Sequence, residues 1–180
     1  MNTLKKNWLT TLSLFTLFSC VTYGQPDIGI MYFTSDVTSE YWTQKIADDL
    51  QDMVTSELSS IGTIRPLERE HVLLLLKEID PPKIDNLDHK VILELGKKEK
   101  LQYLVKGNLM AFELKGNVIT YQIRIVIYKT SDASVFWEKA PEITRELTDQ
   151  ELKEHILLKA ELYETTILAM TKEIRKLRFQ

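Results

Sequence analysis

The side chains that could do chemistry in this chain do not converge. The three histidines, His71, His89 and His155, lie far apart. None sits in an H-x-x-x-H or H-E-x-x-H arrangement, the spacing that sets two imidazoles on one helix face around a metal. Each reads as a surface or boundary residue. No serine occupies a G-x-S-x-G elbow. Gly96-Lys97-Lys98 and Lys106-Gly107-Asn108 lack the upstream glycine and the Ser/Thr of a phosphate-cradling loop. Asp80, Asp85 and Asp88 lack the glycine turn and closing bidentate Glu of a calcium loop. Asp48, Asp49 and Asp52 read as the solvated face of a helix. Lys97, Lys98 and Lys100 form a basic knot that could meet anionic lipid or peptidoglycan carboxylates. Its simpler reading is a helix C-terminus complementing the dipole. No catalytic, cofactor-binding or metal-binding residue is nominated, and the expectation is a protein without enzymatic activity or cofactor. A small hydrolase is the reading this argues against.

The remaining reactive group is Cys20, the only cysteine, so an intramolecular disulfide is impossible. It follows Lys5, Lys6 and a short apolar run from Trp8 to Phe18, which is the pattern of a secretory signal over residues 1–24. The run is too short for a permanent membrane span. Leu17-Phe18-Ser19-Cys20 resembles a lipobox, although Phe18 is bulky for one, and makes Cys20 a candidate lipidation site. The alternative is ordinary cleavage before Gln25, with Cys20 discarded. The net charge of -3 argues against nucleic acid as a partner.

The elements are read from periodicity. Ile119, Tyr121, Ile123, Ile125 and Ile127 alternate with Thr120, Gln122 and Arg124, giving a strand with one apolar and one largely polar face. Lys115-Gly116-Asn117 is a turn signal before it, and Thr130-Ser131-Asp132-Ala133 another after it. Residues 101–137 are therefore three antiparallel strands. Upstream, Ile28 to Phe33 reads as a buried strand. Trp42, Ile46, Leu50, Met53, Val54 and Leu58 form an amphipathic helix closed by Gly62. Residues 63–67 are a short strand held to an edge by Pro66. Residues 68–79 and 85–98 read as two further helices, with Asp80-Pro81-Pro82 between them. Residues 140–146, with Pro141, read as a linker. Thr148 and Glu151 make a capping box, with Leu147 and Leu152 placed as a hydrophobic staple. After it, Ile156, Ala160, Tyr163, Ile167, Met170, Ile174 and Leu177 mark one long C-terminal helix. That stripe is a lid on the sheet or a coiled-coil seam, and an open sheet face favours the lid. The fold expected is an α/β (α+β) sandwich: one mixed sheet of about five strands, in the order β-α-β-α-α-β-β-β-α, with helices packed on it. Residues 25–180 form a single domain.

Several stretches, taken in order, resemble the CsgG/LpoB family of bacterial envelope proteins, which includes FlgO-like proteins. They are Ile28-Gly29-Ile30-Met31-Tyr32-Phe33, the helix from Leu50 through Leu58 to Gly62, and Leu67-Glu68-Arg69 with the Leu-rich run to Glu78. Leu95-Gly96-Lys97, Leu101 through Gly107 to Leu109, Arg124 to Tyr128, and Ser134-Val135-Phe136-Trp137 complete the set. The likeness covers residues 28–138. Asp132-Ala133 stands where the family has a glycine, and no long amphipathic hairpins of the kind that build a membrane barrel are inserted. The resemblance implies a non-enzymatic, exported, periplasmic protein that binds an envelope protein partner, with Cys20 as the candidate anchor to the outer membrane. The alternative it implies is a structural subunit of an oligomeric export or appendage-assembly complex, hence a homo-oligomer. The edge near residues 63–67 and the helix containing His71 are the candidate binding faces.

Overall fold

The computed structural model describes residues 24–67, 70–72, 74 and 89–179. The signal and Cys20, most of the helix expected at 68–79, and the Asp80-Pro81-Pro82 stop lie outside these residues.

Seven strands form one open mixed sheet. In chain order they are β1 (Asp27–Ile30), β2 (Thr34–Ser35), β3 (Arg65–Pro66), β4 (Tyr103–Lys115), β5 (Val118–Lys129), β6 (Val135–Lys139) and β7 (Glu142–Glu146). They occupy five lanes, because two lanes are split. β1 and β2 run parallel along successive parts of β4, and β6 and β7 run antiparallel along successive parts of β5. β3 pairs with β1 in parallel at one edge. The long β4–β5 hairpin turns at Gly116, whose φ of +62° suits a residue without Cβ. A bulge at Met110 re-aims the second half of β4.

The alternation in β5 has the predicted consequence. Ile119, Tyr121, Ile123, Ile125 and Ile127 are all buried on one face. Each such side chain contributes about 1.5–3 kcal/mol relative to exposure. Helix α1 (Gln44–Ser59) and helix α4 (Glu161–Ile174) roof that face. Thr43 caps α1 by accepting from the Ile46 N–H at 3.3 Å. α1 buries Ile46, Ala47, Leu50, Val54 and Leu58. Trp42 stands before the cap, not in the helix, and meets the Tyr163 ring edge-on at 5.9 Å. Tyr163, Ile167, Met170 and Ile174 of α4 are buried against the sheet, so the C-terminal stripe is a lid.

The opposite face carries a smaller cluster. Helix α2 (His89–Glu99) buries Val91, Ile92 and Leu95 against Met31, Val72, Leu101 and Leu104. Residues 70–72 and Leu74 are helical, and Val72 joins this cluster. Farther along this face the side chains are polar and pair across strands. Thr120 meets Thr144 at 2.9 Å, and the Arg124 Nε donates to Glu138 at 2.8 Å.

Two expectations are corrected. The linker expected at 140–146 is strand β7. β6 reaches only the Ile125–Tyr128 end of β5, and β7 pairs with the other half from Val118 to Gln122. Ala140-Pro141 interrupts the lane where a proline cannot donate to the ladder. The single C-terminal helix is three pieces. The capping box forms as read and starts helix α3 (Asp149–Lys153). His155, at φ 54° and ψ 45°, then turns the chain into a 3-10 turn at Ile156–Leu158 before α4 begins. Leu147 is buried as a staple residue would be, whereas Leu152 stays 37% exposed.

Candidate functional site

Two glycines in the sequence motifs have packing reasons. A Cβ on Gly107 would lie 2.1 Å from the Phe33 ring, which occupies the space a side chain would take there. A Cβ on Gly96, inside α2, would lie 2.4 Å from Cβ of Thr130. Thr130 is buried and donates its hydroxyl to the Leu101 carbonyl. These glycines lock the sheet to a connecting loop and to α2. Their role here is in packing.

The histidines remain apart. His71 meets Glu99 at 2.9 Å across the α2 side of the sheet, His89 opens α2, and His155 makes the left-handed turn. Among the described residues, no group of three or more His, Cys, Asp or Glu side chains is placed to hold a metal ion. Nor is any helix among them long and apolar enough to cross a membrane.

What the fold presents to solvent is edges and helix faces. The β3 edge, one of the two expected faces, is two residues long and ends in Pro66. Its Arg65 is tied to Asp27 by two hydrogen bonds, at 2.5 and 2.7 Å. This is a blunted edge. The other expected face, around His71, is described only at residues 70–72 and Leu74. The opposite sheet edge, β6–β7, was not expected. It offers ten strand residues in two runs, unpaired on their outer side among the described residues. Val135 is 51% exposed there. The signal for β7 is Ile143 between Glu142 and Thr144, with Arg145 and Glu146 supplying the charges that edge strands carry.

Behind this edge lies a cleft of about 400 Å³ between β7 and α4. Its floor is Tyr121, whose hydroxyl meets Thr166 Oγ1 at 2.8 Å and whose ring lies edge-on to the Tyr163 ring at 5.0 Å. Its cations are already paired: Lys139 with Glu173, and Arg145 with Glu151 at 2.6 Å. The Thr148 N–H, and next the Arg145 guanidinium, hold the Glu151 carboxyl below its ordinary range. Burial raises the Tyr121 hydroxyl despite the Thr166 hydrogen bond, and burial pushes Tyr163 up further. Tyr163 OH has no hydrogen-bond partner among the described residues. The cleft is a seam closed by ion pairs that solvent screens.

An open mixed sheet, roofed on one face by α1 and α4 and partly on the other by α2 and the helical residues around Val72, defines an α/β sandwich whose accessible features, among the described residues, are an edge lane and helix surfaces. The chain belongs to the CsgG family: the family model described as "Curli production assembly/transport component CsgG" matches residues 18–118. No curated protein sequence matches it. Solved structures with the same fold include the hypothetical protein CT253 from Chlamydia trachomatis, with 8% identity, TM-score 0.55, and 84% of this chain and 96% of that one covered. Lipoprotein GNA1162 from Neisseria meningitidis has 9% identity and TM-score 0.53, covering 82% and 99%. The LpoB C-terminal domain from Escherichia coli has 8% identity and TM-score 0.50, covering 67% and 84%. At these identities the likeness is one of fold.

Proposed function

We propose that this chain is an exported, non-enzymatic protein of the bacterial cell envelope that acts by binding another envelope protein. The observation that carries the reading is the β6–β7 edge. A partner segment can add to it by main-chain hydrogen bonds, with Val135 as an apolar contact. Family membership supports the envelope address, and the signal pattern at residues 1–24 supports export to the periplasm. In this reading Cys20 carries the lipid that holds the domain at the outer membrane, and residues 25–180 are the working part.

Mass spectrometry of the mature N-terminus tests the address. A diacylglyceryl mass on Cys20 is expected, a start at Gln25 removes the anchor, and an intact Met1 overturns export. A photo-reactive residue at Val135 tests the edge. It should trap an envelope protein that the same probe at Arg65 does not, and equal trapping at both sites would sink the reading. A second reading, a subunit of an oligomeric assembly, is favoured by the family's description as an assembly/transport component. Light scattering decides it, since the full 180-residue chain has a mass of 21.0 kDa and the processed monomer is smaller.

A further inference from the structure

A second cavity, of about 460 Å³, lies at the end of the sheet, where the C-terminal turn of α2, the 130–133 turn and the C-terminal tail meet. Three cations line it: Lys97, Lys129 and Arg178. Their sequence separation hides them, and the fold brings them together. None of the three has a carboxylate partner among the described residues, unlike Lys139 and Arg145 in the cleft behind β7. Asp132 lies within the field of the Lys129 charge. Its carboxylate accepts from the Ser134 N–H and hydroxyl, at 3.0 and 2.7 Å, and stays below its ordinary range. The apolar wall is ordered. The rings of Tyr103 and Phe136 stand 4.9 Å apart, and Phe179 closes on both at 5.0 and 5.4 Å. The Lys129 ammonium sits 5.5 Å over the Phe136 ring, which keeps its charge at the cavity. Ser131 adds a hydroxyl on the rim.

We propose that this cavity binds a phosphate monoester. Three converging positive charges in a chain of net charge -3 are an uneven use of charge. A single carboxylate would leave two of them uncompensated, whereas a phosphate monoester carries about -1.5 to -2 at neutral pH. The Arg178 fork matches two phosphate oxygens, and the lysines supply point charge. Lys97 shares the last turn of α2 with that helix's free carbonyls, so part of its charge is spent there. Lys129 and Arg178 therefore carry most of the attraction. The volume exceeds a bare phosphate and leaves the aromatic wall to meet the organic group attached to it. That group is a soluble metabolite or the glycerol of a phosphatidic-acid headgroup. The site does not depend on the partner-binding edge.

Calorimetric titration of the purified protein with glycerol 3-phosphate, and flotation with vesicles of phosphatidylcholine with and without phosphatidic acid, test this. Saturable binding of glycerol 3-phosphate assigns a soluble source. Flotation that rises only with phosphatidic acid assigns the lipid. In either case Arg178→Gln should weaken binding about tenfold, the loss of one charge-assisted contact. Lys129→Gln combined with Arg178→Gln should abolish it, and Lys139→Gln should leave it unchanged. All three side chains are exposed or half-exposed, so circular dichroism should report an unaltered fold. Absence of binding to both probes overturns the proposal. So does binding that the Lys129/Arg178 double variant retains.

Discussion

The two faces of the sheet are built to different rules. The face under α1 and α4 is apolar from the β3 edge to the β7 edge, and twenty-five buried residues form one continuous cluster there. The face under α2 is apolar near β1 and the start of β4, with eight buried residues among the described ones, and then becomes a field of cross-strand polar pairs. One roof holds the sheet together, and the other fastens a helix to one end of it. The domain should therefore lose stability globally through the first face and locally through the second.

The largest effect should come from truncating the two clusters. Ile123→Ala, under α1 and α4, is expected to cost about 4 kcal/mol, and Leu95→Ala, under α2, about 2 kcal/mol, within the usual range for emptied core positions. Urea denaturation measures both. Hydrogen exchange should show the Leu95 loss confined to α2 and its neighbours. Equal, global effects would break the distinction between the faces.

The glycines sharpen it. Gly107→Ala forces the Phe33 ring out of the larger cluster, and Gly96→Ala pushes α2 off Thr130. Each should cost about 1–3 kcal/mol by overpacking. Thermal melts should show one transition for Gly107→Ala, and early loss of α2 for Gly96→Ala.

The smallest effects concern two tyrosines of the better-packed face. Tyr121→Phe loses the hydrogen bond to Thr166 and should cost about 1 kcal/mol. Tyr163→Phe removes a buried hydroxyl with no partner and should be neutral or stabilising by up to about 1 kcal/mol. Both hydroxyls are raised in the folded state by burial. Their contribution is therefore complete below the ordinary tyrosine pKa of about 10 and is lost as pH rises beyond it, because the unfolded chain ionises first. Denaturation followed from pH 8 to 11 should show this decline, and Tyr163→Phe should flatten it.

The same contrast explains what was legible in the sequence. A face covered along its whole length forces strict alternation, so Ile119 to Ile127 announced both strand and orientation. The capping box at Thr148 and Glu151 was equally open, because its chemistry is local. Strand β7 was hidden because its pairing is set by the unused half of β5, which no local pattern in Glu142–Glu146 records. The break at His155 was hidden because the apolar spacing continues across it, from Ile156 to Tyr163, although the backbone changes hand. The edge as a binding face went unseen with β7, and the cation cavity went unseen because its three charges come from three distant segments.

The interruption at Ala140-Pro141 bears on how copies of this molecule can stack. A guest ribbon laid along the outer lane finds two five-residue footholds separated by a step, and must stop or bend at that step. Growth of an endless stack through this side is thereby self-limiting, while a short visitor is still admitted.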